Sequence, residues 1–558
     1  MSQVHLTRRS ALRWALASTA GGLLPFGAAS AWAQGSASSA SASALHLSQR
    51  LGYGPTPGQL TRLSQQGWQA YVNEQLEPQR LPAPAVLTSA LAGFKTLSWS
   101  QADLIEKYRR AGKVARQARQ QDEPKGMTQK FDLARQVGLE AAEARILRAL
   151  HSPRQLEEVL VEFWFNHFNV FIGKGMCRVL MGNYEQQAIR PFVLGRFRDM
   201  LGATAKHPAM LFYLDNWMSV GGAAQGARAK ADQPKKPSGL NENYARELME
   251  LHTLGVDGGY TQRDVTELAR IFTGWGLNMR PEGDDSVFQF APSRHDAGEK
   301  EWLGRRIKPQ GQDEGELALD VLAKHPSTAR HISRKLAQYF VADEPPASLV
   351  DKLAARFTQT DGDLKAVTRA LLESPEFAAN SAQGSKFKPP YRYVLSTLRA
   401  CDTQDVEVRP LVAVLQRLGM PLFGSPTPDG YKYTEQVWLS PDALQSRVSF
   451  ATAFASGRLP ELQQDDDEPD MRDMGDKPRK GDKGEKPTKA NKGEGRVTNL
   501  EDKAARVGNS RFWGAVDADA LLKTLGPAIS PKTRAVLEQS EPALRAAMVL
   551  GSPDFMRY

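Results

Sequence analysis

Apolar residues recur at helical spacing along most of the chain, through 152–173, 190–218, 243–254, 264–275, 314–340, 363–377, 391–401 and 542–550. Strand-like alternation is nearly absent. The pattern predicts an all-α protein with long loops, built as one large multi-helix domain or as two closely packed helical subdomains. Thr56-Pro57 and Ser152-Pro153 read as cap and first-turn pairs. The stretch 101–149 reads as a long, charged, solvated helical pair, and 152–173 as a buried helix.

Other segments break the helical period. Residues 1–33 carry the Arg8-Arg9 pair, a short Ala/Leu/Gly run and Ala31-Trp32-Ala33, which reads as a twin-arginine export signal. Residues 34–44 form a Ser/Ala linker, leaving a helical domain over 45–558. Two pieces within it, 223–238 and 464–496, are too polar to bury apolar surface, and their composition predicts disorder. No later run approaches a membrane span, so the expected product is a protein outside the cytoplasm with no integral span once the signal is removed.

Charge and cysteine count exclude some functions. The formal charge of +9 falls to +6 when Arg8, Arg9 and Arg13 leave with the signal, a weak field for so long a chain. Basic recognition helices and aromatic-interleaved basic stripes are missing, which argues against nucleic acid as a partner. With only Cys177 and Cys401, a cysteine-ligated iron–sulfur cluster or a covalent haem motif cannot be assembled. Whether the two cysteines pair is open, and two free thiols are the expectation. No Walker, Rossmann, Gly-x-Ser-x-Gly or His-x-x-Glu-His signature occurs.

The candidate chemistry lies in three stretches. In "NENYARELMELHTLGVDGGYT" (241–261), helical spacing puts Glu242, Arg246 and Glu250 on one face and Asn243, Glu247 and Glu250 on the adjoining stripe. Arg246 with Glu242 reads as an ion-pair ladder. Glu247 and Glu250 face Asn243 rather than a basic residue, which suits a site. Gly255 is expected to cap this helix, and Thr261 with Asp264 to start the next. In "EFWFNHF", His167 shares a face with Phe163 and Trp164, the pattern of a hydrogen-bonded core histidine, while Asn166 points toward the face of Glu162. In "FAPSRHDAGEKEWLG", His295 and Asp296 sit in a loop, where function concentrates. The candidate catalytic set is therefore Asn166, His167, Arg246, Glu247, Glu250, His295 and Asp296. Cofactor identity is open, a metal included.

Together "RLGYGPT", "FWFNHF", "NENYARELMELHTLGVDGGYTQRDVTELARIFTGW", "HDAGEKEWLG", "ARHISRKLAQYF", "LLESPEF" and "WLSPDALQSR" resemble the exported bacterial family catalogued as domain of unknown function 1800. The resemblance spans about Leu45 to Tyr558. It implies a periplasmic or secreted protein with a secreted partner resembling the sulfatase and phosphatase superfamily. Two functions follow as expectations. One is an enzyme acting on an envelope or extracellular polymer through a polar His/Glu/Arg centre. The other is a non-catalytic binding or scaffold module serving that partner.

Overall fold

The computed structural model describes residues 43–121, 126, 128–221, 239–280, 287–379, 382–403, 407–459 and 514–558. The proposed signal, nearly all of the linker and both polar inserts lie outside them. The described residues are mainly helical, with two small antiparallel sheets, Trp275–Leu277 with Phe288–Phe290 and Lys300–Trp302 with Arg305–Ile307. The all-α expectation holds at the level of class. Strands of three residues are too short for alternation to reveal.

The centre of the fold is the Gln155–His167 helix, buried on nearly every side through Leu156, Val159, Leu160, Phe163, Trp164 and Phe165. A helix this apolar all round belongs in a core. The pair Gln101–Gln121 and Gln129–His151 packs beside it, and the second of these is less solvated than its charges suggest, burying Glu140, Glu143 and Arg145. Pro326–Phe340 packs on Ala347–Gln359, and Pro441–Ala455 on Pro542–Leu550. One hydrophobic cluster draws on segments from Ala44 to Met556.

Local chemistry explains many of the boundaries. Ser374, Ser440 and Ser530 each cap a helix that has proline in its first turn, accepting a backbone N–H on the side-chain oxygen. His207-Pro208 and His325-Pro326 repeat the device with an imidazole nitrogen as acceptor, 3.1 Å from the Ala209 and Ser327 N–H groups. The stretches "SPEF" (374–377) and "SPDF" (552–555) share a local geometry: Ser374 Oγ and Ser552 Oγ each accept from the phenylalanine N–H three residues on, at 3.2 Å. The Thr56-Pro57 expectation fails by two residues. The helix begins at Gln59 behind a left-handed Gly58, and Thr56 hydrogen-bonds the Gln59 side chain instead. Ser152 likewise bonds the Arg154 N–H just ahead of its helix.

The stretch 243–252 departs from a plain helix. An α-helical turn over Asn243–Glu247 passes into a π-helix over Leu248–His252. The Thr253 hydroxyl donates to Leu248 O at 2.6 Å, and the Gly255 N–H to Met249 O at 3.2 Å. The segment ends with Thr253 at its C-terminal cap, so the cap expected at Gly255 falls two residues early; Gly255 itself is left-handed with φ 86°, and Thr261 with Asp264 forms a capping box for Gln262–Ile271. A second π-helix spans Glu185–Ile189. Such turns frequently mark functional positions, because the inserted residue redirects side chains without ending the helix.

Candidate functional site

The loop 425–433 is pinned onto the central helix by two asparagines. Asn166 accepts the Tyr431 N–H on Oδ1 at 2.7 Å and donates Nδ2 to Tyr431 O at 2.8 Å. Asn169 donates to Ser425 O at 3.0 Å and Thr427 O at 2.8 Å, and the Tyr213 hydroxyl donates to Pro426 O at 2.8 Å. Gly430 has φ 69°, and a Cβ there would stand 2.4 Å from Asn166 O, so only glycine fits under the clamp. The clamp puts Asp429 and Lys432, joined to each other at 2.6 Å, beside the π turn.

The Asp429 charge reaches Glu247, the residue just before that turn. Burial, the neighbouring Glu250 and then Asp429 push its carboxyl above the usual range, with Arg246 opposing. Arg246 itself faces partly outward, 3.3 Å from Glu242 and 2.8 Å from the Gln262 side-chain oxygen. Glu242 also accepts from Gln262 and from Thr266, both at 2.7 Å. The ladder expected for Glu242 and Arg246 is therefore present, and it leaves Glu247 out. The Tyr260 hydroxyl stands 3.5 Å from Glu250. Tyr213 feels Glu247 and Asp429 together, although burial is the largest cause of its raised value.

His167 is buried, and its Nε2–H donates to the His252 carbonyl at 3.1 Å. Its ring stacks on Phe163 and meets Trp164 edge-on. The His252 and His331 rings lie 6.0 and 6.2 Å away. Burial first and the Lys335 charge second push His167 well below its usual value, His252 to about 3 and His331 to about 4. All three are neutral near pH 7. Lys335 is in turn pushed down to about 8 by burial and by Lys432, with Asp429 opposing. The core-histidine reading of His167 holds, and the cluster adds a lysine that the sequence did not single out.

His295 and Asp296 belong to a different network. His295 Nδ1 lies 2.8 Å from Thr273 O and Nε2 lies 3.0 Å from Glu314 Oε1. Lys300, with no exposed side-chain surface, donates to Glu314 Oε2 at 2.6 Å. Asp296 holds Arg270, whose Nη2 is 3.0 Å away. Burial raises the Glu314 carboxyl, but hydrogen bonds from His295, Lys300 and the Gln310 N–H outweigh it and leave the group below its usual range. Every polar group in this network has a partner, so the pair expected to act in a catalytic loop braces the two hairpins against Gln312–Lys324.

The structure thus splits the seven nominated residues. Glu247 lies beside Glu250 and within reach of the Asp429 charge, which Lys335 also feels; Asn166 holds the loop that carries Asp429; His167 packs behind it; Arg246 is in the outer ladder; and His295 with Asp296 stands in the separate brace. Among the described residues, no group of three or more His, Cys, Asp or Glu is placed to hold a metal ion, and no helix is long and apolar enough to cross a membrane. Cys177 and Cys401 are free. Both Asn169 and the "PDGYK" turn were missed as functional, since their meaning depends on a contact some 260 residues apart along the chain.

The family model described as "Protein of unknown function (DUF1800)" matches residues 46–557. The chain belongs to that family. No curated protein and no solved structure matched. Within this DUF1800 chain, Asn166 of the clamp and the π turn at Leu248–His252 lie in segments that carried the sequence resemblance, "FWFNHF" and "NENYARELMELH".

Proposed function

We propose that this DUF1800 protein is an exported enzyme that acts on an envelope or extracellular polymer by acid–base chemistry at Glu247 and Glu250, with Asp429 and Lys335 at its edge. The observation that carries the reading is Glu247. It is half-buried against Glu250 and near Asp429, while its sequence neighbour Arg246 is committed to Glu242 and Gln262. Crowded carboxylates share protons unequally, which suits one to donate and its neighbour to accept. Lys335, pushed down to about 8, feels the same Asp429 charge that reaches Glu247.

Glu247→Gln tests this. A raised carboxyl contributes stability below its unfolded value, and that contribution is lost as pH rises through the folded value. At neutral pH the substitution should therefore leave the melting temperature unchanged or slightly higher. Release of soluble fragments from purified cell-wall polymer should fall by about a hundredfold or more, the lower range for a lost acid–base group. Fragment release at the parental rate in a folded Glu247→Gln protein would reject the acid–base reading.

Export is proposed from Arg8-Arg9. Replacing both with lysine should leave full-length precursor in the cytoplasm, seen by fractionation, and normal export of that variant would remove the assignment. A second functional reading, a scaffold for a secreted sulfatase- or phosphatase-like partner, is favoured by the bonding of Asn166, His295 and Asp296 into the fold. It predicts that the protein co-purifies with such a partner and that Glu247→Gln leaves the complex intact.

A further inference from the structure

Behind the clamped loop lies a cavity of about 30 Å³, bounded by Glu162, Arg145, Tyr391, Phe165, Phe423 and Tyr433. Glu162 is 3% exposed and uses only one of its oxygens. Oε2 accepts from the Tyr53 and Tyr339 hydroxyls, both at 3.1 Å, while Oε1 has no hydrogen-bond partner among the described residues. The Tyr391 hydroxyl, on a side chain 1% exposed, is in the same position. Buried polar atoms are rarely left without a partner, since each costs free energy.

The wall is also held under strain. Phe423 has φ 58°, a left-handed conformation that costs a bulky residue free energy unless its surroundings fix it. Its carbonyl accepts the Ile172 N–H at 2.9 Å, and its ring lies 5.3 Å from the Arg145 guanidinium. Phe165 and Tyr391 present two more rings to that guanidinium, at 5.1 and 5.6 Å.

Charge decides what could enter. Arg145 is offset by Glu185 at 3.6 Å, and Glu162 by Arg392 through the shared Tyr339 hydroxyl. A charged guest would upset a balanced interior, so the occupant is neutral and both donates and accepts. About 10–15 Å³ of such space holds one water, so the cavity takes a group of one or two heavy atoms. The rim of Pro421, Leu422, Tyr431 and Tyr433 is only half-buried, and its tyrosine faces suit the C–H face of a sugar ring.

We propose that this cavity is a carbohydrate subsite that receives the hydroxymethyl group of a hexose residue, with Glu162 accepting from its hydroxyl and Tyr391 donating to it. The proposal stands apart from the chemistry at Glu247 and can hold where that reading fails.

The test is ligand-observed NMR titration of the full mature protein with methyl glucoside, methyl galactoside and methyl N-acetylglucosaminide, each against its 6-deoxy analogue. At least one sugar should bind saturably, with its 6-deoxy analogue weaker by about tenfold or more, the loss expected for a hydrogen bond to a charged group. Tyr391→Phe removes only an unpartnered hydroxyl, so it should fold as the parent does and bind that sugar several-fold more weakly. Glu162→Gln should bind about tenfold more weakly. Absence of saturable binding, or equal binding of a sugar and its 6-deoxy analogue, would show a pocket filled by water alone and overturn the proposal.

Discussion

Replacing Glu314 with glutamine should destabilise the protein by about 3–5 kcal/mol at neutral pH, the usual result when one member of a buried ion pair is removed. Glutamine keeps the shape of the side chain and can still accept the Gln310 and Gly311 N–H groups, which lie 2.9 and 3.2 Å from Oε1. The helix start is thus preserved and only the charge is lost. What remains is Lys300, fully buried, with the Asp296 carbonyl and the His295 ring as its nearest polar company. The pH dependence has a definite sign. Because the folded Glu314 carboxyl is below its usual value, its contribution is present above the unfolded value of about 4.5 and is lost as pH falls through the folded value. The gap between parent and variant should therefore close on acidification. Chemical denaturation at pH 7 and at a pH below 4 measures both, and a difference under about 1 kcal/mol at pH 7 would return His295 and Asp296 to the list of catalytic candidates.

How much of this was legible in the sequence depends on the range of each interaction. The Thr261–Asp264 capping box is local, and residue type with spacing was enough to place it, whereas the cap expected at Gly255 falls at Thr253 because the π turn shifts the helix end. The core position of His167 followed from its helical face, and the Glu242–Arg246 pair from i,i+4 spacing. The π turns were invisible. A shift from i→i+4 to i→i+5 bonding changes no composition, and over five residues the two periods place apolar positions almost alike. The roles of Asn166, Asn169 and Glu314 were invisible for another reason. An asparagine or glutamate reads alike in a sequence whether it faces a ligand or a distant backbone carbonyl, and only the fold brings 425–433 to the central helix.

The second π turn supports a stability effect at least as large as that expected at Glu314. The Arg190 N–H donates to Glu185 O, the i→i+5 bond that closes the turn, and the same two residues pair through their side chains at 3.1 Å. The guanidinium also grips Glu158 with two bonds, 2.8 and 2.9 Å long. Glu158 and Glu185 are 4% and 2% exposed, so Arg190→Met would strand two buried carboxylates, with only the 3.6 Å approach of Arg145 left to Glu185. A loss of at least about 3–5 kcal/mol is expected. The outer ladder gives the contrast, because Arg246→Ala breaks a pair that solvent already screens and should cost only about 0.2–1 kcal/mol. The double variant Arg190→Met with Glu158→Gln separates charge from packing. If stranded charge is the cause, removing one carboxylate should restore part of the loss, a non-additivity that independent sites do not show. Purely additive losses in urea denaturation would instead place the cost in the packing of the arginine stem, and would leave the π turn standing without its ion pair.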